Sequence, residues 1–254
     1  MKIAILQRNI VWGDAAENRR RIESTLAAGE PCDLCVLPEM FTTGFHPDPS
    51  GAAEPADGPT WAWLKNMTRT YRCAIAGSIA VEEKGRFYNR LYFVRPDGDT
   101  TCYDKRHLFT YSGENKRYTA GRERVVAEYG GVRILLQVCY DLRFPVFARN
   151  RGDYDMALYV ACWPASRGEV WRTLLRARAI ENQCFVAGVN CAGLDPQGTL
   201  YDGDSVVLDA YGRTLAACEP GRESVAYAEI DCQMLEKFRR KFPVLDDADD
   251  FTIE

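Results

Sequence analysis

Residues 131–145, Gly-Val-Arg-Ile-Leu-Leu-Gln-Val-Cys-Tyr-Asp-Leu-Arg-Phe-Pro, contain a short apolar run that ends abruptly at a cysteine. The run predicts a buried strand over residues 131–139 that places Cys139 at its carboxyl end. A helix is predicted to start between Phe144 and Arg151, with Pro145 in its first turn. A reactive side chain between a strand and a helix is typical of a nucleophile elbow.

The rest of the chain alternates short apolar runs with amphipathic stretches, which is typical of an α/β fold. Strands are predicted over residues 2–7, 33–37, 73–81, 86–95, 99–103, 155–162, 184–190, 204–209 and 225–230, and helices over 14–28, 168–183 and 233–241 and from about Trp61. Pro96-Asp97-Gly98 predicts a hairpin turn. Residues 42–60 contain many prolines and glycines, which favours a long active-site loop.

Length and composition favour one large domain over residues 1–254, with a C-terminal tail over about 242–254. The 32 Lys and Arg against 36 Asp and Glu give no basic field to attract nucleic acid or an anionic membrane, so small molecules are the expected partners. No signal peptide or membrane-spanning run is recognised. The expected location is the cytoplasm, where the ten cysteines would be thiols.

Motifs for serine esterases, zinc proteases, P-loop proteins and dinucleotide binding are absent from the sequence. Cys32-x-x-Cys35 is interpreted as part of a buried strand, because Leu34, Val36 and Leu37 are apolar. A zinc site would lack ligands, since only two histidines exist and no second pair of this kind follows. We therefore expect no metal and no cofactor. With so few histidines, the proton acceptor for a nucleophilic Cys139 should be a carboxylate or a lysine.

Three segments supply such groups directly after predicted strands. Glu39 stands in Leu-Pro-Glu-Met-Phe, Lys105 in Tyr-Asp-Lys-Arg-His-Leu-Phe, and Cys139 in Gln-Val-Cys-Tyr-Asp. Side chains that leave three strand ends can meet at one edge of a sheet, where α/β folds place their ligand sites.

These segments resemble the nitrilase, or carbon-nitrogen hydrolase, superfamily, whose signature is a Glu, a Lys and a Cys in this chain order. The resemblance extends through Gly113-Glu114, residues 118–121, Trp163-Pro164, residues 176–183 and Tyr201-x-Gly203-x-Ser205. Residues 104–109 and 139–145 are most similar to the omega-amidase branch.

The resemblance implies a four-layer α-β-β-α sandwich with mixed sheets, in a homodimer or larger assembly. It implies Cys139 as nucleophile, Glu39 as proton shuttle and Lys105 as electrostatic support, with Glu114 orienting Lys105 or the substrate. The backbone N–H of Tyr140, just after the nucleophile, is the expected second oxyanion donor.

Residues that contact the substrate are harder to assign. Arg143, Arg167 and Arg172 could each bind a substrate carboxylate or form structural ion pairs. Phe41 and Trp163 could wall the pocket or belong to the core.

The favoured function is hydrolysis of the distal amide of an α-keto acid, such as 2-oxoglutaramate or 2-oxosuccinamate, with release of ammonia. Alternatives with the same mechanism are deaminated glutathione, an N-carbamoyl compound or an aliphatic amide. A non-catalytic small-molecule-binding protein and acyl transfer to an amine remain open. Nitrile hydrolysis is disfavoured, because the sequence around Cys139 is of the amidase kind.

Overall fold

The computed structural model describes residues 1–253 and contains fifteen strands in these residues. They are β1 (Lys2–Gln7), β2 (Leu34–Val36), β3 (Glu54–Pro55), β4 (Ala74–Glu83), β5 (Arg86–Val94), β6 (Thr100–Asp104), β7 (Val126–Tyr129), β8 (Val132–Val138), β9 (Met156–Ala161), β10 (Phe185–Asn190), β11 (Ala192–Leu194), β12 (Leu200–Asp202), β13 (Val206–Leu208), β14 (Thr214–Ala217) and β15 (Ser224–Glu229). The α-helices are α1 (Ala15–Ala28), α2 (Pro59–Tyr71), α3 (Pro145–Ala148), α4 (Gly168–Glu181) and α5 (Cys232–Lys241).

Most of the strands form two large mixed sheets. The first sheet has the order β15-β1-β2-β4-β5-β6, with β3 paired to β4, and the second has the order β14-β13-β10-β9-β8-β7. Parallel strands lie at the centre of each sheet. In the first sheet β2 pairs with β1 and β4, and in the second β9 pairs with β8 and β10. The carboxyl ends of these central strands therefore lie at one edge of each sheet.

The largest apolar cluster lies between the two sheets and combines residues from both, for example Ile5 and Phe93 with Leu136 and Val160. A second cluster joins the other face of the first sheet to α1 and α2, through Ile22 and Leu64. A third joins the outer face of the second sheet to α4. Burial of these apolar faces stabilises the stack of layers. The predicted α-β-β-α sandwich with mixed sheets is confirmed.

Several predicted elements are confirmed in detail. The hairpin at residues 96–98 joins the antiparallel strands β5 and β6. Asp14 caps α1 by accepting a hydrogen bond from the Glu17 N–H. The Glu17 carboxylate pairs with Arg20 instead of the Asp14 N–H, so only one of the two hydrogen bonds of a capping box forms.

Other elements differ from prediction. The helix expected near residues 144–151 is confined to α3, because a 3₁₀ turn at Cys139–Arg143 comes first and α3 itself ends at Ala148. Strands β3, β7, β11, β12 and β14 were not predicted, since they are short and partly exposed, and β3 lies within the predicted loop of residues 42–60. Among residues 243–253 of the predicted tail, Val244–Asp247 form a 3₁₀ turn, and residue 254 lies outside the described residues.

No helix within residues 1–253 combines the length and apolar character needed to cross a lipid bilayer.

Candidate active site

Cys139 occupies a sharp turn at the end of β8. Its φ of 48° lies in the left-handed region, which a non-glycine residue adopts only where the surrounding structure enforces it. The chain continues directly into the 3₁₀ turn Cys139–Arg143. The strand therefore delivers the thiol to an elbow, as the sequence predicted.

Lys105 follows β6 directly and lies between two carboxylates. Its Nζ is 2.9 Å from Glu39 Oε1 and 3.0 Å from Glu114 Oε2, and all three side chains are at most 1% exposed. Ion pairs removed from water in this way interact strongly, and each group loses much if its partner is removed. The structure thus brings together Glu39, Lys105 and Glu114.

Two groups that the sequence analysis missed complete the hydrogen bonding of Glu39. The Asn89 Nδ2 donates to Glu39 Oε1 at 2.7 Å and to Glu114 Oε1 at 3.2 Å. The backbone N–H of Cys162, just after β9, donates to Glu39 Oε2 at 2.9 Å. Asn89 follows the same alternation as Leu91 and Phe93, which face the core between the sheets. A polar residue on an apolar face was the available signal.

The protonation states follow from these surroundings. Burial alone would lower the pKa of Lys105, but the charges of Glu114 and Glu39 outweigh it and raise that pKa well above its usual value. Burial raises the pKa of Glu114, against the opposing effect of Lys105. Burial, together with the charge of Glu39 and a hydrogen bond to it, raises the pKa of the Cys139 thiol well above its usual value. A raised pKa favours the thiol form of Cys139 beside Glu39.

A cavity of about 520 Å³ opens onto these groups. It is lined by Glu39, Phe45, His46, Pro47, Lys105, Phe109, Tyr111, Ser112, Cys139, Cys162, Pro164, Ser166, Arg167, Asp195, Gln197, Thr199 and Tyr201. A small recess beside Cys139 is lined in addition by Tyr140, Arg143 and Trp163. The cavity has the size of a site for a small molecule.

The three candidate arginines have different environments. Arg167 lines the cavity and lies over the Phe109 ring, and Arg143 lines the recess and lies over the Trp163 ring. Neither forms an ion pair with an acidic side chain of residues 1–253, whereas Arg172 pairs with Glu169 and Asp204. Arg143 and Arg167 therefore keep a guanidinium available beside the site.

The two candidate aromatic residues, Trp163 and Phe41, lie in different places relative to the cavity. Trp163 is 4% exposed and belongs to both the recess and the core under α4. Phe41 is 1% exposed and packs in the cluster below α2, where Gly77 leaves room for it, since a Cβ there would lie 2.8 Å from Phe41 Cδ1. The Phe41 N–H donates a hydrogen bond to the Ser78 carbonyl, so the chain at Phe41 runs beside β4. Phe41 is not among the residues that line the cavity. Of the two alternatives for Phe41, the structure favours a place in the core.

Phe45 is the aromatic residue of that segment which does line the cavity, and Lys105 Nζ lies 5.5 Å from its ring centroid. It belongs to the predicted active-site loop of residues 42–60. Asp195 and Thr199, which lie between β11 and β12, and Tyr201 in β12 form another wall of the cavity. The sequence analysis recognised Tyr201 in the motif Tyr201-x-Gly203-x-Ser205, but it assigned none of these three residues to the site.

Comparisons with known proteins agree with this arrangement. The family model for carbon-nitrogen hydrolase matches residues 2–240. The chain is 47% identical to omega-amidase YafV of Yersinia enterocolitica, over 100% of this chain and 98% of that protein. It is 37% identical to the 2-oxoglutaramate amidase of Bacillus subtilis, with 96% of each chain covered.

Among solved structures, a carbon-nitrogen hydrolase superfamily protein from Xanthomonas campestris, which carries an arsenic adduct in its active site, superposes with a TM-score of 0.97. The two chains are 43% identical, over 100% of this chain and 99% of the other. The chain therefore belongs to the carbon-nitrogen hydrolase family, within the nitrilase superfamily.

Proposed function

We propose that this protein hydrolyses the distal amide of an α-keto acid such as 2-oxoglutaramate or 2-oxosuccinamate, through a thioester on Cys139. The observation that carries the proposal is the cavity in which Cys139, the buried Lys105 and Glu39 meet Arg167, which has no acidic partner in residues 1–253. Relatives named omega-amidase and 2-oxoglutaramate amidase support the same substrate class.

In the acylation half, Glu39 accepts the thiol proton as Sγ attacks the amide carbon. The carbonyl oxygen becomes an oxyanion that accepts hydrogen bonds from Lys105 Nζ and the Tyr140 N–H. Glu39 then returns the proton to the leaving nitrogen, the C–N bond breaks and ammonia departs. The raised pKa of Cys139 supports this order, because a thiol needs a base where a preformed thiolate would not.

In the second half, water attacks the thioester while Glu39 accepts a proton from it. The tetrahedral oxyanion forms at the same donors and collapses, the C–S bond breaks, and Sγ recovers its proton from Glu39. The products are the dicarboxylic keto acid and the free enzyme. Because the raised pKa of Lys105 keeps it charged, it can support both oxyanions.

Arg167 is the proposed partner of the substrate carboxylate, since it lines the main cavity and has no acidic partner in residues 1–253. Arg143 in the adjoining recess is the second candidate. A guanidinium binds a carboxylate through two parallel hydrogen bonds, which fixes the far end of the substrate relative to Cys139.

The test is ammonia release from a panel of 2-oxoglutaramate, 2-oxosuccinamate, glutamine and a neutral short amide. We expect kcat/KM for 2-oxoglutaramate to exceed that for glutamine by about a hundredfold, because the ammonium of glutamine would meet cationic groups. Arg167→Met should erase most of this activity and spare the neutral amide, whereas the paired Arg172→Met should change neither. Cys139→Ala should release no ammonia from any substrate.

Asp195 in the cavity wall is the acidic group that could bind the ammonium of glutamine and so remove the preference for 2-oxoglutaramate. Its carboxylate lines the cavity but already accepts hydrogen bonds from the N–H groups of Gln197 and Thr199, at 2.9 and 2.7 Å. Equal rates on glutamine and 2-oxoglutaramate would mean that Asp195 nevertheless receives the substrate ammonium. The protein would then be a broader amidase.

We further propose a homodimer or larger assembly in the cytoplasm. Support for assembly comes from exposed apolar side chains: Ile180, Tyr211 and Phe242 are 50%, 53% and 60% exposed, and the Phe238 ring lies beside both Tyr211 and Phe242. Support for the location comes from the cysteines, all ten of which are free. Sedimentation analysis would test the assembly, and a monomer at micromolar concentration would contradict it.

A further inference from the structure

Asp141, two residues after the nucleophile, is a fully buried carboxylate outside the charged cluster of Lys105. Its Oδ2 accepts hydrogen bonds from the Val138 N–H at 2.9 Å and the Tyr103 hydroxyl at 2.7 Å. Its Oδ1 accepts from the His107 N–H at 3.0 Å and contacts His107 Nδ1 at 2.7 Å. Four donors thus converge on one carboxylate.

The donors come from the two segments that carry reactive side chains. Tyr103 and His107 flank Lys105 in the chain, and Val138 precedes Cys139. Asp141 forms no ion pair with a lysine or arginine of residues 1–253, and His107 is its one basic partner among them. The His107 ring is itself fixed, since it stacks on Phe144 at 3.8 Å between centroids and 6° between planes.

We propose that Asp141 is a positioning residue that holds the Lys105 segment and the Cys139 elbow in register with each other. This role rests on the proposed thioester chemistry, which needs Lys105 and Cys139 at a fixed separation. Loss of alignment between preorganised groups costs catalysis even where the groups themselves remain. The positive φ of Cys139 makes the elbow especially dependent on such support.

A carboxylate is required at this position. Each oxygen accepts one main-chain N–H, that of Val138 on Oδ2 and that of His107 on Oδ1. A main-chain N–H cannot turn into an acceptor, unlike a hydroxyl or an imidazole. The amide of an asparagine would therefore oppose one N–H with its own NH₂ group in either orientation.

The test compares Asp141→Asn with Asp155→Asn, a carboxylate that pairs with Arg133 and Arg239. For Asp141→Asn we expect kcat to fall about a hundredfold, with KM changed less than about threefold. The rate at which iodoacetamide alkylates Cys139, measured by mass spectrometry, should fall at least about tenfold. Asp155→Asn should lower Tm and leave both rates unchanged.

Tyr103→Phe, which removes one side-chain donor and neither main-chain donor, decides the matter where Asp141→Asn does not fold. It should lower the alkylation rate and kcat in the same direction by a smaller factor. Wild-type rates in a folded Asp141→Asn or in Tyr103→Phe, or an equal loss in Asp155→Asn, would overturn the proposal. The alkylation rate needs no amide substrate, so it separates failure of this role from failure of the proposed activity.

Discussion

Two buried acidic clusters lie beside the reactive residues, and they balance negative charge in different ways. In the charged cluster, Glu39 and Glu114 share one cation, the Nζ of Lys105. In the cluster around Asp141, two main-chain N–H groups, a tyrosine hydroxyl and an imidazole share the task. Both solutions meet the requirement that a buried carboxylate be neutralised or fully hydrogen-bonded.

The difference suits the two clusters to different tasks. Close ionisable groups shift each other's pKa values: the charges of Glu114 and Glu39 raise the pKa of Lys105, and Lys105 opposes the increase that burial causes in the pKa of Glu114. Main-chain dipoles hold a charge in place without exchanging protons. We therefore expect changes in the charged cluster to alter pH dependence and chemistry, and changes around Asp141 to alter geometry alone.

Lys105→Met should have the largest effect in the charged cluster. Loss of the cation removes the proposed oxyanion donor, so kcat should fall on the order of a thousandfold. It also raises the pKa of Glu114 further. A carboxyl whose pKa is raised on folding favours the folded state below its unfolded value of about 4.3 and loses that contribution as pH rises through its folded value.

The stability of Lys105→Met should therefore decrease relative to wild type between pH 5 and pH 8, as measured by Tm. Loss of one partner from a buried ion pair costs about 3 to 5 kcal/mol, part of which is relieved at the lower pH by protonation of Glu114. A Tm difference from wild type that stays constant over this range would show that Lys105 does not balance the two carboxylates.

Glu39→Gln should lower kcat about a hundredfold while making Cys139 easier to ionise. The pKa of Cys139 is raised by burial and then by the charge of Glu39, so a neutral glutamine should lower it. Titration of thiolate absorbance in Glu39→Gln, with Glu39→Gln/Cys139→Ala as the blank, measures the change. An unchanged or higher thiol pKa, or an activity close to wild type, would rule out Glu39 as the proton acceptor.

The strands and helices of the layers could be predicted from the sequence, because they leave local signals, whereas their four-layer arrangement was implied by the resemblance to the nitrilase superfamily. The candidate reactive groups were found from their positions after predicted strands and from the same resemblance. Apolar periodicity predicts strands and helices wherever one face is buried, and Glu39, Lys105 and Cys139 each stand directly after such a strand. The partners of these groups leave weaker signals. Asn89 lies in the middle of a strand, and the Cys162 N–H carries no side-chain information at all.

Phe41 shows a limit of another kind. The sequence left open whether it walls the pocket or belongs to the core, and the structure favours the core, because Met40 has a φ of 43° and the Phe41 N–H donates to the Ser78 carbonyl in β4. A backbone turn of this kind is set by tertiary contacts, including the Met40 N–H to Ser78 Oγ hydrogen bond at 3.0 Å. The direction of a side chain after a strand end therefore could not be read from spacing alone.

Asn89→Leu should have the smallest effect in the charged cluster and gives the finest test of how the two clusters differ. The substitution removes a neutral donor shared by Glu39 and Glu114 but retains Lys105, so kcat should fall about tenfold with KM nearly unchanged. Loss of a hydrogen bond to a charged carboxylate raises the pKa of Glu114 further, which should move the acidic limb of the kcat profile to higher pH. The matched control is Asn150→Leu, which removes a buried asparagine bound to the carbonyls of Tyr154 and Asn182 and should lower Tm without moving that limb. An acidic limb that stays in place in Asn89→Leu would mean that Asn89 acts, like Asp141, through geometry rather than through charge.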